Sequence, residues 1–272
     1  MFSFLIENEK VQGENAAYIL DKIIGKGKFA TVKLSMKVPY PFLSKACKIV
    51  YSETLQNKII YERFQHEIEI SKLMNHPNVI KIDEIINKDN NYYILMEYCP
   101  KGNLRDYVIR NSRLSEDVAK TIMCQIFTGL QYIHSLNVSH RDLKLENILF
   151  DDDYNIKICD FGLSKILDEN HLTNTPLGTP CYTSPECFSG NSYDGFKTDI
   201  WSCGVILYAM VTGFMPWTER NVNKLAEQIN KGEYKIPEQI SQECADLISK
   251  LLTIDPNKRI SIKDAKKHIW FK

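Results

Sequence analysis

The 272-residue sequence has no excess of charge of either sign: Lys plus Arg and Asp plus Glu both total 34. Nothing in that balance asks for nucleic acid or an anionic membrane surface as a partner. The eight cysteines (Cys47, Cys99, Cys124, Cys159, Cys181, Cys187, Cys203 and Cys244) include no Cys-x-x-Cys pair. That spacing argues against a zinc knuckle or a disulfide framework and leaves small, buried, reduced thiols as the expectation. The six histidines form no His-Glu-x-x-His or His-x-His pair, so no dedicated transition-metal site is expected. Long hydrophobic runs are missing too. The longest, Cys203 to Phe214, falls short of the ~20 residues that span a bilayer and reads as a buried helix. Met1 to Ile6 is apolar but short, lacks a basic stretch before it and runs into Glu7 and Glu9, so it does not read as a secretory leader. A cytoplasmic location is expected, with the nucleus left open. No internal repeat or low-complexity segment stands out.

What is present changes texture along the chain. Tyr18 to Ile24, Thr31 to Lys37 and Lys45 to Tyr51 read as strands, with a proline-bearing turn at Val38 to Pro41. Apolar residues at helical spacing (Phe64, Ile68, Leu73) predict a helix over Glu62 to Met74, stopped at His76-Pro77-Asn78. Val79 to Ile86 and Tyr92 to Tyr98 alternate like paired strands. Beyond Cys99-Pro100-Lys101-Gly102 helices take over, over Ser115 to Ser135, Thr198 to Val211, Leu225 to Asn230, Ser241 to Leu252 and Ser261 to His268. The expectation is an α+β protein: a small antiparallel β-sheet lobe with one main helix, residues 18–98, and a larger, mostly helical lobe, residues 99–272, preceded by an extension over residues 1–17. The joint near Glu97 to Gly102 is the natural place for a ligand.

Three stretches carry chemistry. Gly25-Lys26-Gly27-Lys28-Phe29-Ala30-Thr31-Val32 follows the first strand, where glycines let backbone N–H groups approach phosphate oxygens. The bland alternative is a plain hairpin. A strand follows rather than a helix, and no Gly-Lys-Ser/Thr element is present, so neither a Rossmann fingerprint nor a Walker loop fits. Next, Lys48 sits between apolar neighbours on the third strand. A lysine there needs an anionic partner, and Glu67 on the following helix is the candidate. Finally, His140-Arg141-Asp142-Leu143-Lys144-Leu145-Glu146-Asn147 puts an acid, a base and an amide within eight residues, and Asp160-Phe161-Gly162 follows. Asp142 can orient or deprotonate a hydroxyl. Asn147 and Asp160 offer hard oxygen ligands of the kind magnesium takes. Chance is a poor account of all of these in this order.

In that ordered set the chain resembles the eukaryotic protein kinase family, from about Tyr18 to Phe271. The resemblance implies ATP and magnesium as cofactors and protein Ser/Thr hydroxyls as acceptors. It implies Asp142 as catalytic base, Lys144 steadying the γ-phosphate, Lys48 on the α- and β-phosphates paired with Glu67, and Asn147 and Asp160 binding magnesium. The nucleotide site would be lined by Ile24, Gly25, Lys26, Gly27, Lys28, Phe29, Ala30, Val32, Ala46, Met96, Glu97, Cys99, Asn103, Glu146 and Leu149. Met96 would back the adenine, and Glu97 and Cys99 would offer it backbone hydrogen bonds. Asp142-Leu143-Lys144 and Gly178-Thr179-Pro180 resemble the serine/threonine type, with Thr179 bonded to Asp142 and Lys144. Glu186, in a Ser184-Pro185-Glu186 that replaces the usual Ala-Pro-Glu, would pair with Arg259, and Asp199 and Trp201 would brace the catalytic loop. Leu145-Glu146-Asn147, Gly213 to Trp217 and Asp255 to Phe271 are most similar to calcium/calmodulin-dependent and AMP-activated-like kinases.

Departures from the family pattern carry expectations of their own. Ala30 replaces the third loop glycine at little loss. Ser71 stands where a large apolar side chain is usual, so the helix of Glu67 should be loosely held until a partner or phosphate docks it, and Ser71→Leu should raise basal activity. Asn103 replaces an acid common in kinases that favour basic substrates, so selection for upstream Arg or Lys is weakly implied. A phosphate on Thr175, four residues before Thr179, would pair with Arg141 and Lys165, joined by Arg63, and order the segment. An upstream activating kinase is therefore an expected partner, while nucleic acid and membrane are not, and the domain is expected to act as a monomer. The alternatives are a pseudokinase scaffold, disfavoured because Lys48, Glu67, Asp142, Asn147 and Asp160 are all present, and a small-molecule kinase, which would not need the platform from Asp160 to Glu186.

Overall fold

Alternation along one strand organises the first half of the chain. In β4 (Leu43–Val50), Cys47 and Ile49 point to one face and Ala46, Lys48 and Val50 to the other. A computed structural model describes residues 9–14, 16–27, 30–38, 43–174 and 178–272. In it, β1 (Lys10–Gln12), β2 (Ala17–Lys26), β3 (Ala30–Val38), β4, β5 (Ile82–Lys88) and β6 (Asn91–Glu97) form an antiparallel sheet in the order β1-β2-β3-β4-β6-β5. Cys47 and Ile49 join Val11, Tyr18, Leu20, Tyr93 and Leu95 in one buried cluster. On the opposite face Val50 and Ile94 pack against Phe64 and Ile68 of α2 (Lys58–Leu73), with Phe64 edge-on to Tyr92 at 4.8 Å. Asn57 caps α2 by accepting from the amides of Ile59 and Ile60. A short α1 (Ser52–Leu55) precedes it.

The division into two units falls at Pro100/Lys101, but Pro77–Val79 belongs with the second unit, where Val79 bridges to Ile158. That unit is helical: α3 (Leu104–Asn111), α4 (Glu116–Ser135), α5 (Gly195–Thr212), α6 (Val222–Lys231), α7 (Gln242–Leu251) and α8 (Ile262–Ala265). Short pairs β7 (Val138–Ser139) with β10 (Lys165–Ile166), β8 (Ile148–Phe150) with β9 (Ile156–Ile158), and β11 (Leu172–Thr173) with β12 (Tyr193–Asp194) hold the loops between them. The longest apolar run lies in α5, which is buried along nearly its whole length. Gly213 ends that helix with φ 81°, and a Cβ there would stand 2.0 Å from the Ser112 carbonyl oxygen, so only glycine fits. Among the described residues no helix is long and apolar enough to cross a membrane.

The fold is α+β, an antiparallel sheet in one unit and helices in the other. Several boundaries differ from expectation. The segment before residue 18 is not merely an extension: β1 pairs with Ala17, Tyr18 and Ile19, and Val11 is fully buried. The first glycine-bearing strand continues through Gly25 and Lys26 into a hairpin, with Gly25 opposite Val32. The strand expected from Val79 is β5 and starts at Ile82, while Val79 itself bridges to Ile158 in the second unit. The expected turn over Val38 to Pro41 lies mostly outside the described residues.

Candidate active site

The residues expected to act are divided between the two units. In the first, the shared face of β4 and α2 lets Lys48 Nζ form an ion pair with Glu67 Oε1. β4 lies between β3 and β6, placing Lys48 opposite Val32 and Ile94, and Ala46 opposite Met96. Gly27 donates its N–H to the Ala30 carbonyl at 2.9 Å, closing the hairpin tip. Glu97 donates its backbone N–H to Lys81, and its carboxylate accepts the Lys81 amide at 2.7 Å. Lys26 and Ile24 are exposed, Gly25 half-buried, and Ser71 buried on α2. Lys28, Phe29 and Thr175 lie outside the described residues.

In the second unit the Asp142 carboxylate is held from four directions. Oδ1 accepts the Thr179 backbone N–H at 3.0 Å and the Thr179 hydroxyl at 2.9 Å. Oδ2 accepts Lys144 Nζ at 2.6 Å and Asn147 Nδ2 at 3.5 Å. Lys144 also donates to Thr179 Oγ1 at 3.1 Å, so aspartate, lysine and threonine form a closed triangle. Gly178 makes the approach possible: its φ is 115°, and a Cβ would come 2.8 Å from the Arg141 carbonyl. Asn147 Nδ2 donates to the Asp142 carbonyl at 2.9 Å, so its amide oxygen, not its nitrogen, is the atom that could ligate a cation.

Asp199 fixes the loop from below. It sits on α5 and accepts the backbone N–H of His140 at 2.9 Å and of Arg141 at 2.8 Å, the Ser139 hydroxyl at 3.1 Å and His134 Nε2 at 2.8 Å. Burial alone would push its carboxyl up, but the hydrogen bond and charge of His134 and the Arg141 amide hold it below the ordinary carboxylate range. Two residues of the neighbouring loops take left-handed backbone: Arg141 has φ 63° and Asp160 φ 68°. His140 links these two loops. Its Nδ1 accepts the Asp142 N–H at 3.3 Å, its Nε2 donates to the Cys159 carbonyl at 3.0 Å, and its ring meets Phe161 at 5.3 Å. Trp201, two residues after Asp199 in α5, stacks on Trp217 at 5.9 Å and carries Arg259 over its face at 5.0 Å.

Arg141 and Lys165 do converge, on a threonine not singled out from sequence. Arg141 Nη1 and Lys165 Nζ donate to Thr173 Oγ1 at 3.1 and 3.4 Å. Thr173 is buried because β11 pairs it with Tyr193. Asn103 serves as the N-cap of α3, accepting the Asp106 N–H at 2.9 Å, and bridges to Leu149. His134 and Arg105, which pairs with Glu146, were also missed. Helical periodicity predicts the helix that carries His134 but not α3, which carries Arg105, and it reveals neither partner.

A magnesium ion suits this donor set. Asn147 brings a neutral oxygen and Asp160 an exposed anionic one, and magnesium usually takes one or two such groups, completing its shell with phosphates and water. Among the described residues no group of three or more His, Cys, Asp or Glu side chains could hold a metal by itself.

A family model described as the protein kinase domain matches residues 18–271. The chain is 40% identical over 267 residues to serine/threonine protein kinase OSK3 of Oryza sativa subsp. indica, covering 97% of this chain and 52% of that protein. It is 41% identical over 254 residues to the SNF1-related protein kinase catalytic subunit alpha KIN12 of Arabidopsis thaliana, covering 93% and 51%. It is 39% identical over 257 residues to the carbon catabolite-derepressing protein kinase of Secale cereale, covering 93% and 51%. The chain thus spans about half the length of the curated relatives it matches. By the extent of that match and by the side chains gathered around Asp142, the chain belongs to the protein kinase domain family.

Proposed function

We propose that the chain is an active serine/threonine protein kinase domain, transferring the γ-phosphoryl group of ATP to Ser or Thr hydroxyls of proteins. The observation that carries this reading is the Asp142–Lys144–Thr179 triangle, which holds a carboxylate and an ammonium together around one hydroxyl. Asp142 takes the proton of the acceptor hydroxyl as its oxygen bonds to the γ-phosphorus and the bond to the β-phosphate oxygen breaks, releasing ADP. Lys144 steadies the transferring group, and Lys48, held by Glu67, meets the α- and β-phosphates. Magnesium, when bound through Asn147 and Asp160, neutralises phosphate charge. Backbone groups of Glu97 and Cys99 hold adenine, with Met96 behind it. Catalysis is then mainly positioning and charge stabilisation.

Phosphorylation of Thr175 by an upstream kinase activates the domain. Arg141 and Lys165, already gathered on Thr173 Oγ1, are the cations such a phosphate would recruit. The domain works as a cytoplasmic monomer on this reading. Transfer of labelled phosphate to protein or peptide substrates by wild type, and its rise after Thr175 phosphorylation but not in Thr175→Ala, tests both parts.

A further inference from the structure

One ion pair beside the catalytic loop, Arg105 with Glu146, takes no step in the phosphoryl transfer described above. Arg105 Nε lies 3.3 Å from Glu146 Oε1, and the two side chains are 53% and 42% exposed. The pair is preset from beneath. Leu104 and Leu145, the residues just before each partner, are buried, and α3 packs on the 3-10 turn Leu145–Asn147 that carries Glu146. The Asn103 cap and its bridge to Leu149 fix the start of α3. Glu146 stands between Lys144 and Asn147, both bonded to Asp142, so it is a solvent-facing carboxylate beside the base. The pair also reaches the segment after Thr179: burial and then Glu146 push the Tyr182 hydroxyl up, while Arg105 pulls it down. Arg105 meets a second acid, Asp106, at 3.9 Å.

An exposed carboxylate next to the reacting position is a seat for a cationic side chain of an incoming peptide. Here that seat is taken by a cation of the chain itself. An arriving arginine has to displace Arg105 and then lie beside it, a repulsive element of the kind that sets specificity. Resting on the kinase reading above, we infer that Arg105 is a specificity-determining residue: by holding Glu146 it abolishes selection for Arg or Lys in the acceptor peptide and turns the domain toward neutral or acidic sequences.

Peptide libraries varied around a fixed serine test this with the 272-residue chain as wild type, Arg105→Ala and Arg105→Ala/Glu146→Gln. Each rate is read as the ratio of the Arg peptide to the Ala peptide at every position, which cancels changes in overall activity. Exposed ion pairs are weak, so Arg105→Ala should raise that ratio about two- to fivefold at one position, and the double variant should return it to about 1. Wild type that already selects Arg about threefold or more, or an unchanged profile in Arg105→Ala, overturns the inference. Fluorescence polarisation of the same peptides runs in parallel. If no protein form phosphorylates any peptide, the kinase reading fails and binding decides the inference alone. Tighter Arg-peptide binding by Arg105→Ala, reversed in the double variant, sustains it; unchanged binding overturns it.

Discussion

Arg259 Nη1 and Nη2 meet Glu186 Oε1 and Oε2 at 2.6 and 2.9 Å, a two-point pair in which the arginine side chain is wholly buried. Carbonyls of Thr253, Lys197 and Ile254 take its remaining N–H groups, and Trp201 lies under its face. The pair ties the turn Pro185–Phe188 to the chain after α7. Removing one partner strands a buried charge, so Arg259→Ala should cost about 3–5 kcal/mol in urea unfolding, and Arg259→Lys should not rescue it because a lysine cannot form the fork. A loss below about 1 kcal/mol would mean that the pair is relaxed in solution.

Thr179 gives a sharper separation of stability from rate. Its hydroxyl donates to Asp142 and accepts from Lys144. Thr179→Ala keeps the backbone bond but frees both side chains to wander, so kcat should fall about 10- to 100-fold. Thr179→Ser retains the oxygen and should keep most of the rate. Steady-state kinetics with thermal melts check this; equal rates in Ala and Ser variants would remove the triangle from the mechanism.

Asp199 predicts an acid limb to stability. Its folded pKa lies below the unfolded value, despite burial, because His134 and the loop amides favour the carboxylate. The stabilisation is therefore complete above the unfolded pKa of about 3.9 and fades as pH falls through the lower folded value. Asp199→Asn should lose about 2–4 kcal/mol at pH 7 and show a flatter stability profile below about pH 4. Urea midpoints from pH 7 to pH 3 measure both; parallel curves for the two proteins would contradict the assignment.

Thiol accessibility offers an independent check of the packing. Burial pushes Cys47 and Cys244 up to about 12, whereas Cys124 is exposed on α4. At pH 8 an alkylating reagent should modify Cys124 first and leave Cys47 and Cys244 untouched until the protein unfolds. Early labelling of Cys47 would show that the first unit opens readily.

How much was legible in the sequence depended on whether a contact is local. Residues His140 to Asn147 and Asp160 to Gly162 cluster along the chain, so their grouping can be read directly. The Lys48–Glu67 pair is legible one step further on, because strand alternation and helical spacing put both side chains on one packed face. β1 is not legible: three residues carry no period, and their pairing with Ala17 to Ile19 is tertiary. α3 did leave a signal, an Asn103 cap with Leu104 and Val108 one turn apart, but it is a short one. The convergence of Arg141 and Lys165 on Thr173, the Arg105–Glu146 pair and the place of Trp201 arise from residues far apart in sequence, which no local pattern encodes.

The most direct test is transfer of labelled γ-phosphate from ATP with magnesium to a peptide library, by wild type beside Asp142→Asn and Asp160→Asn. The account predicts incorporation on Ser and Thr by wild type, absent without magnesium and at least about 100-fold lower in both variants. Equal incorporation by all three proteins, or none by wild type after phosphorylation of Thr175, would contradict it.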